Sequence, residues 1–278
     1  MTTVTGPRRR MAGAGLVGLA LLAALAAGAC TKSSATPRII YVTPPPGPTG
    51  TPVTGSPGVT PAPAASPTIT NILIDSTAPD GRWKVTFKKP VIGGVSDTTA
   101  AAMNDAITNQ INGYIDAFTK SDLPVPAKNA SPSTLEGDYS ISMNTASIVS
   151  LRFSILTTTS GGAHPVGTPG SISFVANTGK TIALADLFTD PSAAAAKIAA
   201  STHASLSTQL GGDLTWDGKA SSLDFFAKAW VFTPAGLDFY WPQGQLASMA
   251  AGMPSAVVPW AELKPLVKAS SPAGAFTK

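Results

Sequence analysis

Residues 83–120 read WKVTFKKPVIGGVSDTTAAAMNDAITNQINGYIDAFTK, and two different periods follow each other within them. Trp83, Val85 and Phe87 alternate, which is the two-residue period of a strand with one buried face. After the turn at residues 90–94 the period lengthens. Met103, Ile107, Ile111, Tyr114, Ile115 and Phe118 recur at three and four positions, so they share one face of a helix over residues 96–120, with Ser96 or Asp97 as its N-cap.

Working outward, the chain continues in hairpins. Strands are expected over residues 139–143 and 148–157, joined at Asn144-Thr145, and over 171–176 and 180–184, turned by Asn177-Thr178-Gly179. A second helix is expected over residues 192–210, Ala-rich, with Ile198 and Leu206 facing inward. The end of the chain reads as a strand over 225–232, a turn at Pro234-Ala235-Gly236, a strand over 237–241, a short helix over 245–251 and a strand over 256–258. Strands grouped in hairpins with helices between them predict an α+β fold: a mainly antiparallel sheet with two principal helices packed on it. Residues 69–268 are long enough for one domain, read in halves of 69–150 and 150–268, with a disordered tail over 269–278.

The N-terminus predicts export. Arg8-Arg9-Arg10 precede an apolar run over residues 11–25 and the small residues Ala26-Ala27-Gly28-Ala29, the three blocks of a signal peptide over residues 1–29. Cys30, the single cysteine, stands where a lipoprotein signal would be lipidated and cleaved. A conventional signal with an incidental cysteine is one alternative, and an uncleaved anchor is another, since the run approaches the ~20 residues of a membrane helix. Glycines in and beside the run weigh against the anchor. A lone thiol allows no internal disulfide framework. Several acyl chains on Cys30 would hold the protein at the extracytoplasmic face of the cell membrane.

Residues 30–68 are Pro, Thr, Ser, Gly and Ala with few large side chains, a composition expected to stay disordered and act as a spacer. At about 3.1 Å per residue where extended, such a spacer reaches roughly 100 Å. The formal charge of +4 is largely a property of the signal, because without Arg8, Arg9 and Arg10 it falls to +1. Residues 69–268 hold 13 Lys and Arg against 15 Asp and Glu, with no basic run, so nucleic acid is not an expected partner.

At Ser160-Gly161-Gly162-Ala163-His164-Pro165 a resemblance becomes visible. This loop is followed by a strand, then Asn177-Thr178-Gly179-Lys180, then Leu184-Ala185-Asp186-Leu187-Phe188. The tail continues with Phe232-Thr233-Pro234-Ala235-Gly236-Leu237-Asp238-Phe239-Tyr240-Trp241, Ala250-Ala251-Gly252 and Val257-Val258-Pro259-Trp260-Ala261-Glu262-Leu263. In this order and spacing the chain resembles the RsiV-type extracellular domain, the ectodomain of lysozyme-sensing anti-sigma factors, shared with mycobacterial secreted immunogenic proteins and with lipoproteins of the actinobacterial type. The resemblance covers residues 150–267 well and 83–118 more loosely. It implies an α+β domain that binds a protein outside the cell. The chain departs from the sensing members in lacking a cytoplasmic sigma-binding segment and a clear transmembrane helix, so only extracellular binding carries over, and no lysozyme-contacting residue can be assigned.

The residues offer little catalytic chemistry. His164 with Ser160 is the sharpest candidate for a serine hydrolase, but the chain has no GxSxG elbow, and a structural histidine bonded to a backbone carbonyl explains the loop equally. His203 reads as a packing residue of the second helix. Asp186 and Asp190 could join His164 around a metal, though they suit a hairpin end and the start of a helix before Pro191 better. Alternation sends Trp230 and Phe232 to one face and Phe239 and Trp241 to one face, as a packed hairpin needs. Tyr240 points the other way and is the expected exposed member, a candidate binding residue with His164. The sequence therefore favours a surface binding module for a wall-associated protein or for peptidoglycan, without cofactor or metal. A His164-dependent esterase and a structural envelope protein are the competing readings.

Overall fold

In the computed structural model, residues 38–40, 65–216 and 222–277 are described. The expected first helix is α1 (Asp97–Thr119), with Ser96 as its N-cap accepting from the Thr99 N–H at 3.3 Å. Its inward face is the predicted one: Met103, Ile107, Ile111, Ile115 and Phe118 are buried. α1 follows β3 (Trp83–Gly93) and leads to β4 (Ser133–Asn144), which pairs parallel with β3. A parallel pair needs a crossover longer than a tight turn, and α1 supplies it.

Around this unit a six-stranded sheet forms in sequence order, β1 (Arg38–Ile40), β2 (Thr68–Thr77), β3, β4, β5 (Ile148–Thr158) and β6 (Val166–Val175). Every other neighbouring pair in it is antiparallel. Val85 and Phe87 of β3, Leu135 of β4 and Val149, Leu151 and Phe153 of β5 close a core against α1. Gly137 of β4 is part of that core because an ideal Cβ there would lie 2.0 Å from the Phe87 ring.

The second principal helix, α2 (Pro191–Leu210), does not lie on this sheet. It packs with α3 (Leu223–Phe226) and α4 (Trp260–Leu263) against a separate three-stranded sheet of β7 (Trp230–Phe232), β8 (Gly236–Tyr240) and β9 (Ser255–Pro259). Ile198 and Leu206 of α2 share a core with Leu237, Phe239 and Val258, and with Met143 and Ile148 from the far side of the large sheet. The α+β class stands, but as two sheets with one principal helix each.

The two layers meet through serines. Ser150 of β5 and Ser173 of β6 are buried with their hydroxyls 2.8 Å apart. The Phe232 N–H donates to Ser150 Oγ at 3.0 Å and the Trp230 N–H to Ser171 Oγ at 2.8 Å. These hydroxyls satisfy the main chain of β7 where it crosses the large sheet, as buried polar groups require.

Several expected elements take another form. Residues 180–184 make only an isolated bridge, Phe174 with Thr181, because the chain then turns through a 3-10 turn, Leu184–Leu187, that brings Leu184, Leu187 and Phe188 into the core. Residues 225–228 are not strand: Leu223 and Phe226 are both buried at helical spacing in α3. The short helix over 245–251 contracts to a 3-10 turn, Met249–Ala251, since the Leu246 carbonyl accepts from the distant Thr215 N–H at 2.7 Å. Within residues 30–68, Arg38–Ile40 is not spacer but an edge strand paired with β2 over Leu73, Ile74 and Asp75. The tail over 269–278 holds a 3-10 helix, Pro272–Phe276, in which Ala273 is buried and Phe276 stacks on Trp260 at 5.0 Å.

Candidate functional site

Cys30 and the apolar run before it lie outside the described residues. His164 is exposed on its glycine loop, and its Nδ1 lies 3.3 Å from the carbonyl oxygen of the adjacent Pro165. Ser160 belongs to the same loop, and its N–H donates to Ser133 Oγ at 2.9 Å. Among the described residues neither its hydroxyl nor a carboxylate is hydrogen-bonded to His164, so the three-group arrangement of nucleophilic catalysis is not assembled. His203 is exposed on α2 and meets the Trp216 ring edge to face at 5.2 Å. Asp190 caps α2, accepting from the Ser192 and Ala193 N–H groups at 2.9 and 3.0 Å. Asp186 is exposed in the 3-10 turn before it. No group of three His, Cys, Asp or Glu side chains suited to a metal occurs among the described residues.

Tyr240 corrects the sequence reading. It does point away from Trp230, Phe232, Phe239 and Trp241, which pack together in the second core, but at 9 % exposure it is buried. Its face of β8 is covered by the large sheet: the Arg152 guanidinium of β5 lies 4.0 Å from the centre of the Tyr240 ring, a cation–π contact. The Tyr240 hydroxyl donates to Asp238 Oδ2. Burial raises the Asp238 carboxyl above the ordinary carboxylate range, against the opposing pull of the Tyr240 hydrogen bond and the Arg152 charge. Burial and the neighbouring Asp238 likewise raise the Tyr240 phenol.

This arrangement has a pH signature. A carboxyl whose folded value is raised binds its proton more tightly in the folded than in the unfolded chain. Its contribution is present below the ordinary value of 3.8 and is lost as pH rises through the higher folded value. Asp238→Asn keeps an acceptor for Tyr240 and removes the titration. Urea midpoints of the variant are expected to fall less than those of the parent as pH is raised from 3.8 toward neutrality. Parallel profiles would contradict this.

A concave site among the described residues lies elsewhere, along the outer edge of β6. A groove of about 290 Å³ runs beside Ser171, Ile172 and Ser173. Gln110 of α1 closes one side and Trp230 of β7 the other, while residues 181–184 and Ala227 complete the wall. The edge is explicit in the hydrogen bonds. Gly167 accepts from and donates to Gln243 at 2.9 and 2.8 Å, Ser171 O accepts from Gln110 Nε2 at 3.0 Å, and Ser173 O accepts from the Ile182 N–H at 2.8 Å. The Val175 N–H donates to Lys180 O at 2.9 Å. Residues 167, 171, 173 and 175 thus turn their main-chain groups away from β5. Pro169, in the same register, has no N–H to offer, as suits an edge strand. The sequence reading missed these groove residues: the strand expected over 171–176 begins after Pro169, and only the observed span of β6 brings that proline inside the strand.

Residues 185–261 match the model of a family described as protein of unknown function (DUF3298). Among solved structures, the chain is similar to a member of the DUF3298 family from Bacteroides fragilis NCTC 9343 at 11 % identity, covering 77 % of this chain and 99 % of that one with a TM-score of 0.50. It is also similar to a DUF3298 family protein from Pseudomonas aeruginosa PAO1 at 13 % identity, covering 73 % and 94 %, with a TM-score of 0.48. No curated protein matches the chain.

Proposed function

We propose that the folded region is a binding module for a wall-associated protein, lysozyme-like in the first instance, or for a wall glycan. In this reading Cys30 carries lipid, the signal is removed, and the Pro/Thr-rich spacer presents the module on the extracytoplasmic face of the membrane. The observation that carries the binding role is the groove beside β6, a concave site at a sheet edge with an aromatic wall and nearby main-chain donors. Such a site suits recognition, in which apolar walls provide contact area and a few polar groups fix orientation. The His164 loop, by contrast, brings no partner to its imidazole except a neighbouring carbonyl.

The test uses the chain from residue 31 onward, made without the signal, against a C-type lysozyme and against purified cell wall, by interferometry at physiological salt. Saturable binding at micromolar concentration or tighter to either is expected. Failure to retain both would remove the proposal. The anchor is tested separately: labelling with an alkynyl palmitate analogue in cells is expected for the parent and lost in Cys30→Ala, whereas equal labelling would place the lipid elsewhere.

A further inference from the structure

We infer that the groove beside β6 is a site for the free carboxyl end of an extended peptide. This rests on the binding role proposed above and narrows it to one chemistry.

The groups left unused on the edge are donors. Ser171 and Ser173, which line the groove, turn their main-chain groups away from β5, and both carbonyls are engaged, by Gln110 Nε2 and by the Ile182 N–H. Their N–H groups make no hydrogen bond among the described residues. A carboxyl end brings acceptors. The two N–H groups lie two residues apart along a strand, roughly 6.6 Å, which is the repeat of an extended peptide. One can therefore hold the carboxylate while the other holds the carbonyl two residues upstream, the main-chain recognition of strand addition.

The ends of the edge set how a ligand enters. Gln243 is bonded to Gly167 through both its main chain and its side chain, the Val175 N–H donates to Lys180 O, and the Ile182 N–H takes the Ser173 carbonyl but not the Ser173 N–H. The chain already completes this edge at both ends, so the open middle admits a chain end more readily than a continuous strand. Charge agrees. No aspartate or glutamate lines the groove, and the exposed Lys180 and Lys228 are sequence neighbours of the lining residues Thr181 and Ala227. Ile182, Leu184 and Trp230 provide an apolar wall for the last side chain.

The experiment is nitrogen–proton correlation NMR on the chain from residue 31 onward, titrated with a pool of N-acetylated hexapeptides having free carboxyl ends, and with the same pool amidated. Saturable shifts of the Ser171 and Ser173 amides are expected with the acid pool and a response at least tenfold weaker with the amides. Ala227→Asp, at an exposed lining position, is expected to weaken the acid pool at least tenfold, and Ala227→Lys to preserve it. Equal response to acid and amide overturns the carboxylate, shifts of these two amides with chitotetraose alone overturn the peptide, and no shift with any probe overturns the site. Lysozyme or wall binding that leaves both amides unmoved would sink this inference while the broader binding role stands.

Discussion

Gly236→Ala is expected to destabilise the fold by roughly 3 kcal/mol, the upper end of the usual range for overpacking. Gly236 opens β8, where an ideal Cβ would lie 2.0 Å from the Val258 carbonyl oxygen, 2.7 Å from its carbon and 2.9 Å from Pro259 Cα. All three atoms are backbone, so no rotamer change relieves the clash. The strands would have to separate where Gly236 pairs with Pro259 and Leu237 with Val258. Leu237 and Val258 are fully buried, so separation also opens the second core. The turn before the strand adds to the constraint: the Thr233 N–H donates to Gly236 O at 2.9 Å, and the Gly236 N–H to Thr233 Oγ1 at 3.1 Å. For a domain of this size the loss corresponds to a Tm lower by about 6–12 °C. Differential scanning calorimetry checks it, with Gly212→Ala as the control, since nothing lies within 4 Å of a Cβ there. A Gly236→Ala chain melting with the parent would mean that β8 and β9 do not approach as described.

The parts of the fold that were legible in the sequence are those fixed by local period. α1 is the clearest case, because five inward residues at helical spacing and the Ser96 cap act within a few turns of one another. The second helix was legible for the same reason, including Ile198 and Leu206, yet its place was not. Periodicity says which face is apolar and is silent about which sheet covers it. Tyr240 shows the limit most sharply: its parity in β8 was right, but its burial depends on Arg152 and β5, far away in the chain.

The groove was illegible for a related reason. Its lining comes from residues 110, 171–173, 181–184, 227 and 230, brought together only by the sheet edge and the crossing of β7. Ser171 and Ser173 look like solvent-facing strand residues when read by alternation. In the fold the Ser171 hydroxyl satisfies β7, the Ser173 hydroxyl meets Ser150, and both residues line the groove. β2 escaped notice because Ile72, Leu73 and Ile74 run without alternation, although Ile74 pairs opposite Phe87 and is buried with it.

Removing residues 269–278 is expected to lower stability by about 3 kcal/mol, where a disordered tail would have no effect. Phe276 lies nearly parallel to Trp260, at 12° and 5.0 Å, and meets Phe232 at 6.2 Å. Ala273 is fully buried, and Ser271 Oγ donates to Lys268 O at 2.8 Å. The tail continues a path already tied to the core, since the Lys268 N–H donates to Leu187 O at 2.8 Å and Val267 bridges Phe188. A fully buried phenylalanine is worth ~3–5 kcal/mol against alanine. Phe276 is only partly buried, so Phe276→Ala alone should cost about 2 kcal/mol, with the backbone and Ala273 contacts supplying the remainder of the truncation. Urea midpoints followed by tryptophan fluorescence check both variants, because Trp260 loses its stacking partner in each. An unchanged midpoint for the truncated chain would show that the ordering entropy of the tail cancels its contacts, and would return residues 269–278 to the tail that composition suggested.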